Sequence, residues 1–185
     1  MLLDERGYII VVDFGFAKKV YDKTYTLCGT TDYLAPEVIQ HKGHNAAFDW
    51  WTLGIFIYEL ISGKTPFQAD SAPAAYQNIL TGPLYFPPVF NQAARDLVKC
   101  LLHKNPNKRL GMGANGESKC SEIQRHQWFA GFDFKAMLAR ELPSPHKPEW
   151  HSNTDTANFD KYDERDLPPP PSDFVDKDPG WDADF

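Results

Sequence analysis

Val12-Asp13-Phe14-Gly15, then Thr24-Tyr25-Thr26-Leu27-Cys28-Gly29-Thr30, then Leu34-Ala35-Pro36-Glu37 is the stretch whose reading decides the fold. It sets three parts in order: a carboxylate on a glycine turn, a loop of phosphorylatable hydroxyls, and an Ala-Pro-Glu. Asp-Phe-Gly alone arises by chance, whereas the ordered set at this spacing is specific. Only twelve residues precede Asp13.

Upstream, Gly7 reads as a turn and Tyr8-Ile9-Ile10-Val11-Val12 as a short strand. Its apolar run is continuous, not alternating, which predicts burial on both faces. Asp13 then ends the strand, where its carboxylate is expected to face a cleft. Downstream, Ala47 to Ser62 is apolar on nearly every face and predicts a central helix covered all round. Asp49 is its expected amino-terminal cap and Gly63 its carboxyl-terminal punctuation. Further helices are expected at Ala74 to Leu80, at Gln92 to Leu102 behind an Asn91 cap, and at Cys120 to Phe129 with Ile123 and Trp128 inward. Asn105 to Gly116 reads as a polar loop.

Composition suits one globular domain with a tail: 185 residues, 42% hydrophobic, five Trp and thirteen Phe. The net charge of −6 is unevenly placed, because Ser152 to Phe185 holds ten acidic residues against three basic ones. No basic run points to nucleic acid. Cys28, Cys100 and Cys120 show no metal-ligand spacing and cannot all pair, which suits a reducing cytosol and a cytoplasmic location. His41 and His44 lie close together without partner ligands. Phe48 to Ile61 is too short and carries Asp49 and Glu59, so no transmembrane segment is expected. After about Pro143, prolines exclude regular structure. The isolated aromatics Trp150, Phe159, Tyr162, Phe174, Trp181 and Phe185 suggest an acidic strap that wraps another surface.

With these motifs in place, the chain resembles the carboxyl-terminal lobe and tail of an AGC-group serine/threonine protein kinase, nearest to the cGMP-dependent kinases. Asp13-Phe14-Gly15-Phe16-Ala17-Lys18-Lys19, Lys42-Gly43-His44 and Asn105-Pro106-Asn107-Lys108-Arg109-Leu110-Gly111 carry the likeness. So do Trp128-Phe129-Ala130-Gly131-Phe132 and the terminal Gly180-Trp181-Asp182-Ala183-Asp184-Phe185. The cAMP-dependent kinases are the close alternative, since Asp49-Trp50-Trp51 and the short loop from Gly15 to Thr26 look more like theirs. The implied fold is α+β, a mostly helical lobe with a short β segment and an extended tail. Residues 1–129 would be a partial kinase domain and 130–185 the tail.

The resemblance assigns roles. Asp13 would bind the Mg²⁺ that bridges ATP phosphates. Phe159 would close over adenine. Thr26 matches the phosphosite that an upstream activating kinase modifies, with Lys18 holding the phosphate. Leu27 and Leu34 would form the pocket for the substrate residue after the phosphoacceptor, and Thr30 would contact the catalytic machinery. Glu59 would pair with a basic residue before the acceptor; the alternative is a lone polar residue satisfied within the core. Glu37 and Arg109 match a buried ion pair. Substrates would be proteins or peptides with basic residues before the phosphoacceptor.

Two departures stand out. Where the family usually has Pro-Glu after Gly-Thr, this chain has Thr31-Asp32, which alters the substrate-pocket wall and shortens the acidic stem. And within these 185 residues there is no glycine-rich loop, paired lysine, catalytic aspartate or metal-binding asparagine of the kinase set. The chain by itself is therefore expected to be inactive. Two readings follow: part of a kinase whose amino-terminal lobe and regulatory segments lie elsewhere, or a catalytically dead interaction module.

Overall fold

The computed structural model describes residues 1–113, 117–152 and 154–161. Tyr162, Phe174, Trp181, Phe185 and the terminal Gly180–Phe185 motif lie outside the described residues. Two compact units are present, Met1–Val11 with Pro143–Phe185, and Val12–Leu142.

In the first unit, β1 (Leu2–Leu3) and β2 (Ile9–Ile10) form an antiparallel hairpin, Leu2 opposite Ile10 and Leu3 opposite Ile9. Asp4 shapes its turn: Oδ1 accepts from the Arg6 and Tyr8 amides at 2.9 and 2.8 Å. Gly7 has φ +81°, and its carbonyl accepts from the Ser144 hydroxyl at 3.0 Å. A Cβ there would lie 2.1 Å from the His146 carbonyl oxygen, so only glycine fits. The strand expected over Tyr8–Val12 is thus two residues long, and burial on both faces is overturned. Ile9, Ile10, Val11 and Val12 are all exposed, at 63, 42, 60 and 38%. One hydrogen-bonded neighbour and no covering layer cannot bury either face.

The second unit is helical. α1 spans Pro36–Ile39, α2 Ala47–Ser62, α3 Ala72–Thr81, α4 Gln92–Leu101, α5 Cys120–Gln124 and α6 Phe134–Leu138. Short 3₁₀ turns sit at Thr31–Tyr33, Pro106–Lys108 and Gln127–Phe129. α2 has the expected length and ends on Gly63 at φ +77°. Its expected cap is corrected: Asp49 lies within the first turn, and Asn45 Oδ1 takes the Ala47 amide at 3.1 Å instead. Nor is α2 covered on every side, because Leu60 is 68% exposed. Phe48, Trp50 and Leu53 are only half-buried against the core.

α4 packs on α2. Leu97, Val98 and Leu101 recur at helical spacing and are wholly buried, with Asn91 Oδ1 accepting from the Ala94 amide at 2.8 Å. Each such side chain contributes about 1.5–3 kcal/mol of burial. Gly54 is the contact point: a Cβ there would meet Leu102 Cδ2 at 2.8 Å and Leu101 Cβ at 2.9 Å. Trp51 stacks on Phe67 with ring centroids 5.8 Å apart. The helix expected over Cys120–Phe129 breaks after Gln124. His126 caps the following turn by accepting the Trp128 amide at 3.2 Å, and Trp128 ends exposed, not inward.

Candidate functional site: the Asp13–Glu37 segment

Asp13 has φ +64°, a left-handed conformation that aspartate tolerates better than most residues. Its Oδ1 accepts from the Gly15 amide at 3.3 Å, a local turn that holds the carboxylate outward. Phe14 and Phe16 are 67 and 76% exposed. The chain then returns through Thr24, whose amide and carbonyl each pair with those of His44 at 2.9 Å. That bridge sets the loop against the start of α2.

Across the loop, Lys18 Nζ donates to Thr26 Oγ1 at 2.9 Å. The expected phosphate-holder and phosphosite are therefore neighbours, both exposed. They border a cavity of about 830 Å³. Its lining includes Gly15–Lys18, Cys28–Thr30, His44–Ala46, Phe48, Asp49 and Thr52. Burial lowers the His44 imidazole's affinity for a proton and raises the Asp49 carboxyl above its ordinary value, with His44 opposing the latter. The expectation that Asp13 faces a cleft at a strand end is corrected: the strand stops at Ile10, and the cavity is lined only from Gly15 onward.

The segment ends at a buried anchor. Arg109 Nη1 donates to Glu37 Oε1 at 2.7 Å and to the Ala47 carbonyl at 2.6 Å, and Nη2 to Glu37 Oε2 at 3.0 Å. Its Nε reaches the His103 carbonyl at 3.2 Å, and the guanidinium lies 5.2 Å from the Trp51 ring centroid. Glu37 and Arg109 are 4 and 1% exposed. This bidentate pair ties α1 to the first turn of α2 and to the 103–109 loop.

The remaining expected residues are more scattered. Leu34 is 3% exposed within the core, whereas Leu27 is 50% exposed and outside the cavity that Leu34 borders. Thr30 precedes the 3₁₀ turn and is exposed. Glu59 is half-buried and its Oε2 accepts the Tyr33 phenol. Burial first, then that hydrogen bond and the charges of Glu59 and Asp32, push the phenol up to about 12. Phe159 stands in the other unit, 59% exposed, its amide donating to the Thr156 carbonyl at 3.0 Å.

Three features lay beyond the sequence reading. Tyr33 as the partner of Glu59 and Thr65 as the partner of Asp32 (2.9 Å) carry no local sequence signal. The third is Asp96, Cys100 and His126, whose ligand atoms lie within 4.8 Å of one another. The i, i+4 spacing of Asp96 and Cys100 was its only visible half. His126 Nδ1 accepts the Trp128 amide, which leaves the proton on Nε2, donated to Asp96 Oδ2 at 3.0 Å. His41 and His44 join no ligand group among the described residues, and no described helix is long and apolar enough to cross a membrane.

A family profile for the protein kinase domain matches residues 1–129. The cAMP-dependent protein kinase catalytic subunit PRKX of Mus musculus is 46% identical over 172 residues, covering 93% of this chain and 48% of that protein. The cGMP-dependent protein kinase 2 of Homo sapiens is 42% identical over 190 residues, covering 100% of this chain and 24% of that protein. The cGMP-dependent protein kinase, isozyme 2 forms cD5/T2, of Drosophila melanogaster is 43% identical, covering 100% and 20%. The chain spans less than half the length of these relatives. With its mostly helical α+β architecture and the matched profile, the chain belongs to the protein kinase family, among AGC relatives that are cAMP- and cGMP-dependent kinases.

Proposed function

We propose that these residues form the helical lobe and tail of a serine/threonine kinase of the cGMP-dependent type. The reaction is transfer of the ATP γ-phosphate to Ser or Thr of proteins bearing basic residues before the acceptor. The observation that carries this is the Lys18–Thr26 hydrogen bond, inside a segment anchored at its far end by Glu37 and Arg109. A phosphate on Thr26 adds roughly −1.5 to −2 charge where a lysine ammonium already sits, which orders the loop through charge-assisted bonds. What favours the cGMP type is that those relatives align over the whole chain, tail included, against 90–95% for the cAMP-dependent ones.

Asp13 fits a magnesium role in donor chemistry: an outward carboxylate oxygen is the hard ligand Mg²⁺ requires, one among several otherwise given by phosphates and water. Bound Mg²⁺ would neutralise phosphate charge, and Asp13 would orient it. Leu27, Leu34 and Thr30 would border the acceptor, Glu59 would meet a basic side chain, and Phe159 in the tail, residues 130–185, would lie on adenine. These 185 residues hold neither the glycine-rich loop nor the catalytic-loop aspartate of the kinase set, so by themselves they are expected not to transfer phosphate.

The test is a chimera with the amino-terminal part of a cGMP-dependent relative's kinase domain joined ahead of Leu2. It is expected to phosphorylate a basic peptide with Mg²⁺-ATP and to lose activity on Asp13→Ala, while the 185-residue chain shows no turnover above a heat-killed control. A folded, inactive chimera overturns the reading. Turnover by the chain alone, abolished by Asp13→Ala, overturns its inactivity. Phosphopeptide mapping that finds Thr26 bare in active enzyme removes that site.

A further inference from the structure

Ser144 fastens the tail to the hairpin, and it begins the sequence Ser144-Pro145-His146-Lys147. Its hydroxyl donates toward two carbonyl oxygens, that of Gly7 at 3.0 Å and that of His146 at 2.6 Å. The same oxygen accepts the His146 amide at 3.3 Å. The approach is close: a Cβ on Gly7 would lie 2.4 Å from Ser144 Oγ and 2.8 Å from Ser144 Cβ. The hydroxyl proton is the donor at this meeting point. Without it, three oxygens would face one another unpaired.

Residues 143–150 form neither helix nor strand, and Pro143, Pro145 and Pro148 favour extended backbone there. An extended stretch can enter another enzyme's groove without any element being unwound. Pro145 brings no amide N–H to leave unpaired, and Lys147, exposed, places a cation three residues after the serine. We propose that Ser144 is a phosphorylation site for a kinase that accepts proline directly after the serine and a basic side chain two residues further on, and that the phosphate releases the tail from the hairpin. The γ-phosphoryl group of ATP passes to Ser144 Oγ, the hydroxyl proton goes to that kinase's base, and ADP leaves. The product has lost the donor and sets roughly −1.5 to −2 charge against the Gly7 and His146 carbonyl oxygens. The closed contact occupies the hydroxyl, so modification takes the opened tail and then keeps it open. All of these contacts lie within the hairpin-and-tail unit, independently of the phosphoryl-transfer reading.

The experiment incubates the monomeric fraction of the 185-residue chain with a purified cyclin-dependent kinase and Mg²⁺-ATP. Phosphate is mapped by mass spectrometry, and chymotryptic cleavage after Trp150 is timed. Phosphate is expected on Ser144 and is expected to be lost in Ser144→Ala and in Pro145→Ala. The phosphorylated chain is expected to be cut after Trp150 roughly tenfold faster than the unmodified chain, the scale of a lost hydrogen bond acting on the open population. Ser144→Ala removes the donor without adding charge and is expected to speed cleavage less, about threefold. Gly7→Ala, whose Cβ would lie 2.1 Å from the His146 carbonyl oxygen, opens the contact in advance. In that variant Ser144 is expected to be phosphorylated faster than in wild type.

A wild-type chain that takes no phosphate on Ser144 overturns the proposal, and so does equal modification of wild type and Pro145→Ala. Phosphate on Ser144 with unchanged cleavage after Trp150 overturns the release. Slower cleavage, as capture of the phosphate by Arg6 would give, overturns it as well. If Gly7→Ala does not fold, the wild-type chain carries the test by itself: modification of Ser144 and faster cleavage are both expected, and either one missing sinks the idea. The kinase reading fails separately, because an inactive chimera overturns that reading and leaves every one of these outcomes as it is.

Discussion

Ile9 to Phe16 and the α2–α4 pair are built from the same kinds of residue and meet opposite fates. Ile9, Val11, Phe14 and Phe16 are 60–76% exposed, while Trp51, Ile55, Leu97 and Leu101 are wholly buried. Composition does not decide between them; a covering surface does. α2 and α4 cover each other because Gly54 lets Leu101 and Leu102 close on its backbone. The earlier segment is held by polar ties, Asp13 to Gly15, Lys18 to Thr26 and Thr24 to His44. Polar ties in water are individually weak and open easily. The α2–α4 region is thus a packed scaffold, and the earlier stretch is a segment whose order a new charge can change.

The hardest way to break the contrast is at its hinge, the Glu37–Arg109 pair. Either Glu37→Ala or Arg109→Ala leaves a buried charge alone and should cost about 3–5 kcal/mol. The double replacement should cost less than the sum, read as urea midpoints in a double-mutant cycle. Additive shifts would show that the pair is not coupled. Gly54→Ala tests the packed side of the comparison at its closest contact. Alanine gains about 0.5–1 kcal/mol of helix preference, but overpacking against Leu101 and Leu102 loses about 1–3 kcal/mol. The expected net is a lower melting temperature. A higher one would mean the α2–α4 contact is looser than its distances.

How far the sequence disclosed this follows the same divide. α2 and α4 were readable because packing repeats every helical turn, and Asn91 and Gly63 mark their ends through local chemistry. Glu37 and Arg109 were readable only through resemblance, since 72 residues separate them and no local pattern links a glutamate to an arginine at that range. The exposed Ile9–Val12 run was misread because an apolar run reports what its residues prefer, not what stands next to them. Trp128 was misread for a related reason: His126 captures the Trp128 amide, ends α5 and turns the indole outward.

A milder test exchanges the exposed apolar side chains. Val11→Ser with Phe16→Ser should change the unfolding free energy by less than about 0.5 kcal/mol, as surface substitutions do, while lowering the binding of a hydrophobic dye. The reciprocal change in the core, Ile55→Ala, should cost about 2–5 kcal/mol. Similar losses from both would erase the distinction between the two regions.

The smallest effect sharpens the junction of the regions, where Tyr33 leaves the polar segment and meets α2. Its phenol is pushed up to about 12, first by burial and then by Glu59 and Asp32, against an ordinary value near 10. Tyr58 is also raised, by burial alone. The folded chain therefore keeps the Tyr33 proton when the unfolded chain has released it. By linkage this contribution is fully present below about pH 10 and is lost as pH rises toward about 12. A phenolate absorbance titration of the eight tyrosines should show a late class that contains Tyr33 and disappears in denaturant. Glu59→Gln removes the charge that holds the proton and should bring Tyr33 earlier while Tyr58 stays late. Tyr33→Phe should delete the component and flatten the alkaline fall in stability. A titration unmoved by Glu59→Gln would mean that Tyr33 and Glu59 are not bonded in solution, and that the polar segment has no fixed hold on α2 at this point.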